Sequence, residues 1–191
     1  MELTYKITFL SDWHCGSGLS GGAEADATVI KDDRNSPYIA GKTIKGLVKE
    51  ALEEMYEVKP HAKDRICIDE LLGCEIKDKE TGKVKETKSG IAFFSNATLS
   101  DTEQKDITPA LSDFLYRNIA STQIEKNGIV KENSLRVMEV CIPITLKGKI
   151  LDVESKNVQL TENALKWIRH LGVNRNRGLG RCRFEITSKS N

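Results

Sequence analysis

Asp26 is an isolated carboxylate between two alanines, shortly after a glycine-rich segment of the chain. That segment, at 16–22, reads GSGLSGG and contains four glycines. Glycines let a loop approach a ligand closely, because they have no Cβ and adopt positive φ at little steric cost. A carboxylate on such a loop can help to hold a hydrated Mg²⁺ ion, or it can simply be a solvated surface acid. The pattern leaves three interpretations open, namely a phosphate cradle, a metal site and a plain surface loop.

A second segment with chemical potential is HLGVNRNRGLGRCRF, at 170–184. It interleaves arginines with glycines and contains no acidic residue. Arginines make bidentate contacts to phosphate, and glycines expose backbone N–H groups that can surround an anion. The alternative is an ordinary connection between a helix and a strand, with solvated arginines. We interpret the segment as a phosphate-binding loop with contacts from Arg175, Arg177, Gly178, Gly180 and Arg181.

Hydroxyl and lysine side chains mark the start of the first predicted helix, KTIKGLVKEALEEMY at 42–56. Its apolar residues recur at helical spacing, and Thr43 falls in the N-cap region. Phosphate is favoured at a helix N-terminus, and lysines four residues apart share a helix face. Solvated lysines are the alternative. The candidate phosphate contacts are Lys42, Thr43, Lys45 and Lys49.

These segments are positioned by an alternation of strands and helices. The patterns predict strands at 3–10, 91–99 and 180–187, with one long or two short strands at 134–153. They predict helices from 43 onwards, at Asp64–Leu72 before Gly73, and at 162–172 with Gly172 as its stop. The charged segment 77–90 predicts a hairpin tip or a mobile loop.

The predicted order of elements is strand, helix, strand, strand, helix, strand. This order is that of the α+β, ferredoxin-like (RRM-like) βαββαβ fold, with long insertions. We therefore expect one domain over 1–191, with insertions at about 60–90 and 115–137. The strands carry aromatic residues such as Phe93, Phe94 and Phe184 but lack the aromatic pattern of the RNA-recognition module. We do not expect RNA to bind by stacking on the sheet.

Composition and charge narrow the class of protein. The formal net charge is +1, yet 164–184 carries only basic charge, so a polyanion can bind locally. No apolar run approaches the roughly 18 residues of a membrane span, and the start at Met1 shows no secretory signal. The five cysteines are scattered and odd in number, which favours free thiols. We expect a cytoplasmic protein without a membrane partner.

Four motifs, in order along the chain, resemble those of the RAMP superfamily of CRISPR-associated proteins. DWHCGSG followed by SPYIAGKTIKGLVKEAL is similar to the N-terminal signature of type III backbone subunits. DELLGCEI with SGIAFFSNATL, and then RNIASTQIEKNGIVKENSLRVMEV, resemble two central segments of the same subunits. LGVNRNRGLGRCRF resembles the C-terminal glycine-rich loop of the superfamily. Together the motifs extend over nearly the whole chain.

The resemblance implies a backbone subunit of a type III CRISPR effector complex. Such subunits bind a CRISPR guide RNA and assemble with further copies of themselves and with other subunits. A β-hairpin thumb displaces one nucleotide of the guide–target duplex at regular intervals. Catalytic members cut the target RNA there with a metal ion, Mg²⁺ or Mn²⁺. The resemblance also implies RNA contacts near His14, Gly16 and Gly18, although a histidine after a strand is more often structural.

Within this resemblance, Asp26 is the implied catalytic and metal-binding acid. One carboxylate cannot complete a metal site, so RNA oxygens must supply other ligands. The thumb is expected around 119–137, with a turn at Asn127-Gly128. Apolar residues without an obvious core partner form its expected tip, namely Ile124, Ile129 and Val130.

The sequence departs from the family pattern at several positions. Ala40 replaces a proline, and Lys42-Thr43 replaces a pair of serines. The spacing before the Pro-Tyr-Ile motif differs by one residue, which leaves Glu24, Asp32 or Asp33 as alternative functional acids. Asp32 and Asp33 look more like turn residues. A zinc site formed by His61, Cys67 and Cys74 is a further hypothesis, although these residues are loosely spaced and include no C-x-x-C pair.

Three other functions compete with a target-cutting backbone subunit. The first is a catalytically inactive structural subunit of the same complex, which differs only in the role of Asp26. The second is a guide-RNA-processing endonuclease of the superfamily, which would use a histidine without metal. The third is a nucleotide-binding enzyme, but GSGLSGG matches neither a Walker A loop nor a dinucleotide fingerprint. Metal dependence would separate the second from metal-dependent cleavage of target RNA.

Overall fold

The structure is a computed structural model that describes residues 1–18, 22, 25–60, 62–78 and 81–190. Its strands are β1 Glu2–Phe9, β2 Gly73–Lys77, β3 Val84–Ser89, β4 Phe93–Phe94, β5 Tyr116–Ser121, β6 Arg136–Cys141, β7 Thr145–Leu151 and β8 Cys182–Ser190. Its helices are α1 Gly41–Val58, α2 Ala62–Leu72, α3 Asp101–Asp106, α4 Pro109–Ser112 and α5 Val158–Trp167.

The central sheet has the strand order β4-β7-β1-β8, and its neighbouring strands are antiparallel. β1 alternates buried and half-buried residues, as expected for a strand with one face on the core. Its buried face packs with α1 and α5 into one hydrophobic cluster. β1, α1, β4, β7, α5 and β8 supply the six elements of the ferredoxin-like plan. The prediction of an α+β ferredoxin-like fold is confirmed.

Helix α1 begins at Gly41, two residues before the predicted N-cap Thr43. Ala40 is the N-cap, and it has no side chain that can bond to the helix. The Oδ1 atom of Asn96 accepts a hydrogen bond from the Gly41 N–H at 3.0 Å and fills that role. A Cβ at residue 41 would lie 2.0 Å from the Phe94 carbonyl oxygen, so glycine lets α1 touch β4. The N-cap prediction for Thr43 was wrong, and this residue lies exposed in the first turn.

Helix α5 ends at Trp167, before the predicted stop at Gly172. The residues after it are extended, because they pair with the start of β8. The Cys182 N–H donates to the Arg169 carbonyl oxygen, and the Leu171 N–H donates to the Gly180 carbonyl oxygen, each at 2.9 Å. Gly172 has φ +93°, and a Cβ there would lie 2.2 Å from the His14 carbonyl oxygen. It is a packing glycine in a loop.

The strand predicted at 91–99 is reduced to β4. Ala97 turns away and exchanges two hydrogen bonds of 2.9 Å with Ile39. Thr98 then returns to pair with Lys147 of β7. The segment predicted as one or two strands at 134–153 forms two, β6 and β7.

The first insertion contains α2 and the β2–β3 hairpin, whose strands pair from Gly73 with Ser89 to Lys77 with Val84. Gly73 ends α2 with φ +84°, as its position predicts. The hairpin alternative for 77–90 agrees with this pairing. Among the described residues, no helix combines the length and apolar character needed to cross a membrane.

Candidate nucleic-acid interface

Strands β5 and β6 form a hairpin that we call the thumb, residues 116–141. Its ladder pairs Tyr116 with Cys141 and Ser121 with Arg136. Beyond the ladder, Ile124 and Val130 form an isolated bridge before the turn. The side chains of Ile124, Ile129 and Val130 are 65%, 64% and 54% exposed. A cluster of exposed apolar side chains on a projecting hairpin is a candidate contact surface.

Asp26 is fixed to the base of the thumb. Its backbone N–H donates to the Val137 carbonyl oxygen, and its Oδ2 accepts from the Val137 N–H, both at 2.8 Å. Ala27 continues this contact as a parallel bridge to Met138. The side chain is exposed, and its Oδ1 has no hydrogen-bond partner among the described residues. Strand β6 therefore holds Asp26 in place at the base of the thumb.

A cleft of about 450 Å³ opens beside Asp26, between the thumb and the arginine-containing turn at 174–179. Arg177 contributes to its lining from that turn, so the structure brings together two residues that the sequence predicted separately. Arg136, at the start of β6, lines the same cleft. Sequence reasoning missed Arg136, since its place depends on the β5–β6 register. Its signal was a basic residue two positions before Met138, on the same face of a strand that follows a turn.

The arginine-containing turn holds its basic side chains outward. Asn174 and Gly178 have φ of +55° and +86° on either side of a short 3₁₀ turn, Arg175–Arg177. Arg175, Arg177, Gly178 and Arg181 are exposed. The Arg175 Nη1 lies 3.9 Å from the Glu50 Oε2, which sets this part of the turn beside α1. Lys42 and Lys49 are exposed and Lys45 is half-buried on α1.

Gly180 is buried and serves the packing of the turn. Its N–H donates to the Asp12 carbonyl oxygen at 2.7 Å, so it is not available for a phosphate. A Cβ at this position would lie 1.9 Å from the Leu171 carbonyl oxygen. The predicted phosphate contact from Gly180 is corrected, and the need for glycine is steric.

His14 is also buried, with 3% of its surface exposed. Its Nδ1–H donates to the Glu139 carbonyl oxygen at 2.6 Å, because a carbonyl can only accept. A Cβ at residue 16 would lie 3.1 Å from the His14 Nε2, so Gly16 leaves room for the ring. The structure therefore gives His14 a structural place beneath the surface. Gly16 and Gly18 are exposed above it.

Glu139 joins the segment that carries Asp26 to the thumb. Its Oε2 accepts from the Val29 N–H at 2.9 Å, and its Oε1 pairs with the Lys31 Nζ at 2.8 Å. The same Nζ lies 3.7 Å from the centre of the Tyr116 ring. The Glu139 side chain is 15% exposed, so its charge is largely removed from water and compensated locally. In the sequence, Glu139 stood out only as part of the motif RNIASTQIEKNGIVKENSLRVMEV.

Replacement of Glu139 by alanine should lower the free energy of unfolding by about 2–4 kcal/mol, because Lys31 and the Val29 N–H lose a shared partner in a partly buried place. Urea denaturation measures this change. Glu132→Ala is the matched control, since Glu132 is exposed near the thumb tip, and its effect should stay within about 0.5 kcal/mol. Equal stabilities of the two variants would contradict the role assigned to Glu139.

The alternative acids Asp32 and Asp33 lie on a turn, and the two cysteines of the zinc hypothesis are free thiols. The Asp32 Oδ1 accepts from the N–H groups of Arg34 and Ser36 at 2.9 and 2.8 Å, which makes Asp32 a turn residue. Asp33 is exposed on this turn. Glu24 and His61 lie outside the described residues. Cys67 and Cys74 are half-buried free thiols, and within the described part of the chain no three potential metal-binding side chains cluster.

The remaining cysteines belong to the core. Cys15, Cys141 and Cys182 are buried free thiols. Burial raises the pKa of Cys15 and of Cys182 to about 12. Thiols with such a pKa stay protonated near neutral pH and are poor nucleophiles.

The fold and the site together define a ferredoxin-like domain with a thumb and a basic, glycine-containing turn. The family model of the RAMP superfamily matches residues 6–183. The chain therefore belongs to the RAMP superfamily, as the sequence motifs indicated. No curated protein matches the chain.

Solved structures resemble the chain over nearly its whole length. A chain of the type III-B Cmr-beta complex bound to cognate target RNA has a TM-score of 0.72 at 13% identity, with 97% of each chain covered. A chain of the apo state of type III-B Cmr-beta has a TM-score of 0.69 at 12% identity, with 99% of this chain and 98% of that chain covered. A chain of a type IV-B CRISPR complex has a TM-score of 0.66 at 12% identity, with 100% and 92% covered. At these identities the likeness shows a shared fold.

Proposed function

We propose that the protein is a guide-RNA-binding backbone subunit of a type III CRISPR interference complex, and that it cuts target RNA beside Asp26. Its partners are the guide RNA, the target RNA, further copies of itself and other subunits of the complex. Membership of the RAMP superfamily supports this proposal. So does the shared fold with chains of CRISPR complexes, one of them bound to target RNA.

The observation that carries the proposal is the pair of hydrogen bonds between Asp26 and Val137. These bonds hold a carboxylate at the base of a hairpin whose exposed tip is apolar. Displacement of a base from a duplex costs a few kcal/mol of stacking, which contacts with such a tip can offset. A cut made at Asp26 would then fall at a fixed place relative to the displaced nucleotide.

Each residue of the cleft has a simple chemical role in this proposal. Mg²⁺ or Mn²⁺ prefers oxygen ligands and, when bound, stabilises charge on a phosphodiester. Asp26 would hold the metal ion through Oδ1, because Oδ2 is occupied by the Val137 N–H. Arg136 and Arg177 bind phosphate oxygens on either side of the cleft. RNA oxygens and water would have to supply the other ligands of the metal ion.

The alternative is a catalytically inactive backbone subunit of the same complex. One observation favours it, since Asp26 is the one acid among the described residues that line the cleft. Binding of guide RNA by the basic turn and the thumb is the same in both functions. Metal-dependent cleavage of target RNA by the assembled wild-type complex separates them.

Deletion of the thumb tip, Ile124–Val130, tests the proposal. The assembled complex should cut bound target RNA at regular intervals, and the deletion should disturb this spacing while the fold stays intact. Mapping of the cleaved ends of the RNA measures the spacing, and circular dichroism follows the fold. The matched control replaces Ile124, Ile129 and Val130 by serine. It keeps the length of the hairpin and removes only the apolar contact. Unchanged spacing with the deletion would contradict the role of the thumb, and a melted fold would place the tip in the core.

A further inference from the structure

We propose that Trp167, at the end of α5, is a stacking platform for one unpaired base of the guide RNA. The base stacks on the exposed indole ring, and the adjoining phosphates bind Arg169 and Arg175. This inference rests on the proposed function and adds a base contact to the phosphate contacts of the arginine-containing turn. The described residues that line the cleft at Trp167 are all different from those that line the cleft beside Asp26.

Trp167 is a large aromatic side chain that the fold leaves at the surface, with 47% of it exposed. The second tryptophan of the chain, Trp13, is fully buried and stacks on Phe9. A half-exposed indole ring presents apolar surface that a flat ligand can cover. Every nucleobase has a π-face, so stacking on an aromatic ring tolerates any base. A platform of this kind therefore suits a subunit that binds guides of different sequences.

Helix α1 holds the indole ring in place. The Trp167 Nε1–H donates to the Glu54 Oε2 at 2.8 Å, which fixes the N–H edge of the ring. Trp167 is the last residue of α5, and Ile168 after it is buried and anchors the end of the helix. A side chain that is already ordered loses little conformational freedom when a ligand stacks on it. The ring is therefore preorganised as a binding surface.

A cleft of about 260 Å³ opens beside the ring, between α1 and the arginine-containing turn. Its basic residues, Arg169, His170 and Arg175, are exposed. Arg169 makes no ion pair with any other described residue. Both acids that line the cleft are already engaged, Glu54 by the indole N–H and Glu50 by the Arg175 Nη1 at 3.9 Å. Basic charge beside an aromatic ring is the combination with which proteins bind single-stranded nucleic acids.

The cleft continues the basic surface of the arginine-containing turn. The Arg169 carbonyl oxygen accepts from the Cys182 N–H at 2.9 Å, and His170 forms an isolated bridge with Arg181. The residues before and after the turn are therefore joined by backbone pairing. A guide strand whose phosphates follow the turn would pass the indole ring, because Arg175 belongs both to the turn and to the lining of the cleft.

The test measures tryptophan fluorescence of the full-length protein while a short single-stranded RNA is added. Stacking should quench the emission of Trp167, and a change reports this residue because Trp13 is fully buried. Duplex RNA should quench much less, since its base faces are covered by one another. Polyphosphate offers phosphates without bases and should leave the emission nearly unchanged. Trp167→Phe should lose the quenching by single-stranded RNA.

Binding affinity is the second measurement. Trp167→Ala should weaken binding of the same RNA about tenfold, as expected for the loss of one stacked base. The dependence of log K on log salt should keep its slope, because the indole ring carries no charge. Trp167→Phe keeps an aromatic ring and should retain most of the affinity. Phe93→Ala is the matched control, since Phe93 is an aromatic residue of the sheet that is 59% exposed, and its loss should leave the affinity as in the wild type.

Constant fluorescence of the wild type while filter binding shows bound RNA would overturn the platform, as would equal quenching by polyphosphate. Loss of assembly by Trp167→Ala with unchanged RNA affinity would also overturn it. That result would assign Trp167 to a contact between subunits, together with the exposed Val58 in the neighbouring groove of about 530 Å³. Guide binding and target cleavage would still stand in each of these cases, so the proposed function would be retained. Failure of the wild type to bind guide RNA would overturn the proposed function and the platform together.

Discussion

Asp26→Ala should abolish metal-dependent cleavage of target RNA while folding, assembly and guide binding stay as in the wild type. A bound metal ion contributes several kcal/mol to stabilising the transition state, so its loss should slow cleavage by about a thousandfold or more. Single-turnover cleavage by the assembled complex, with and without Mg²⁺, measures the rate. The alanine variant also loses the hydrogen bond from the Val137 N–H, but keeps the bond from its own N–H to the Val137 carbonyl oxygen.

Asp26→Asn separates charge from position. The asparagine oxygen can still accept from the Val137 N–H, so the base of the thumb should keep its geometry, but the charge that attracts a metal ion is lost. We expect this variant to be as inactive as alanine. Asp33→Ala is the matched control, because Asp33 is an exposed acid on the nearby turn, and Glu24→Ala should also be nearly silent. Cleavage at the normal rate by Asp26→Ala would exclude Asp26 as a catalytic residue. The inactive-subunit alternative follows only if the wild type also fails to cut.

Simultaneous replacement of Arg175, Arg177 and Arg181 by alanine should weaken RNA binding about a hundredfold or more, whatever the RNA sequence. These arginines are exposed, and their contacts to phosphate carry no sequence information. The dependence of log K on log salt should become shallower by about 2, since each phosphate contact to a single strand contributes roughly 0.7. Filter binding over a series of salt concentrations measures both effects.

The matched control replaces Lys83, Lys85 and Lys88, which are exposed in or beside β3. It removes the same total charge from a hairpin far along the chain from the arginine-containing turn. Its effect on the salt dependence should be much smaller. An unchanged affinity and an unchanged salt slope in the arginine variant would exclude the turn as a phosphate-binding loop.

Local patterns were sufficient to predict the fold. The alternation of β1 and the helical spacing of α1 depend on one buried face each, and the pattern of apolar residues records that face directly. The errors lie where a distant segment decides the outcome. Helix α5 ends before Gly172 because residues 169–171 pair with the start of β8, and α1 begins at Gly41 because Asn96 completes its N-terminus. Tertiary contacts of this kind leave no local signal.

The site was predictable by residue type more than by geometry. The sequence placed Asp26 and Arg177 in separate motifs, and the structure shows that the same cleft joins them. His14 and Gly180 sit within those motifs for packing reasons, since one is a buried hydrogen-bond donor and the other is in close contact with Leu171. A motif records all residues that a fold needs in one place, whether they bind or pack. The roles of Arg136 and Glu139 depend on the register in which β5 pairs with β6. No single segment of the sequence contains that register.

The attachment of Asp26 to the ladder beneath the tip has a consequence for evolution of the thumb. Residues 122–135 lie beyond the Ser121–Arg136 pair, so insertions or deletions there leave the Asp26–Val137 contact unchanged. The length and composition of the tip can therefore diverge among descendants of this gene while the carboxylate keeps its place. An insertion of one residue between Arg136 and Met138 would shift the ladder by one residue. The side chains of β6 that line the cleft beside Asp26 would then turn to the opposite face. Length variation should accordingly concentrate in the tip and be absent from the ladder.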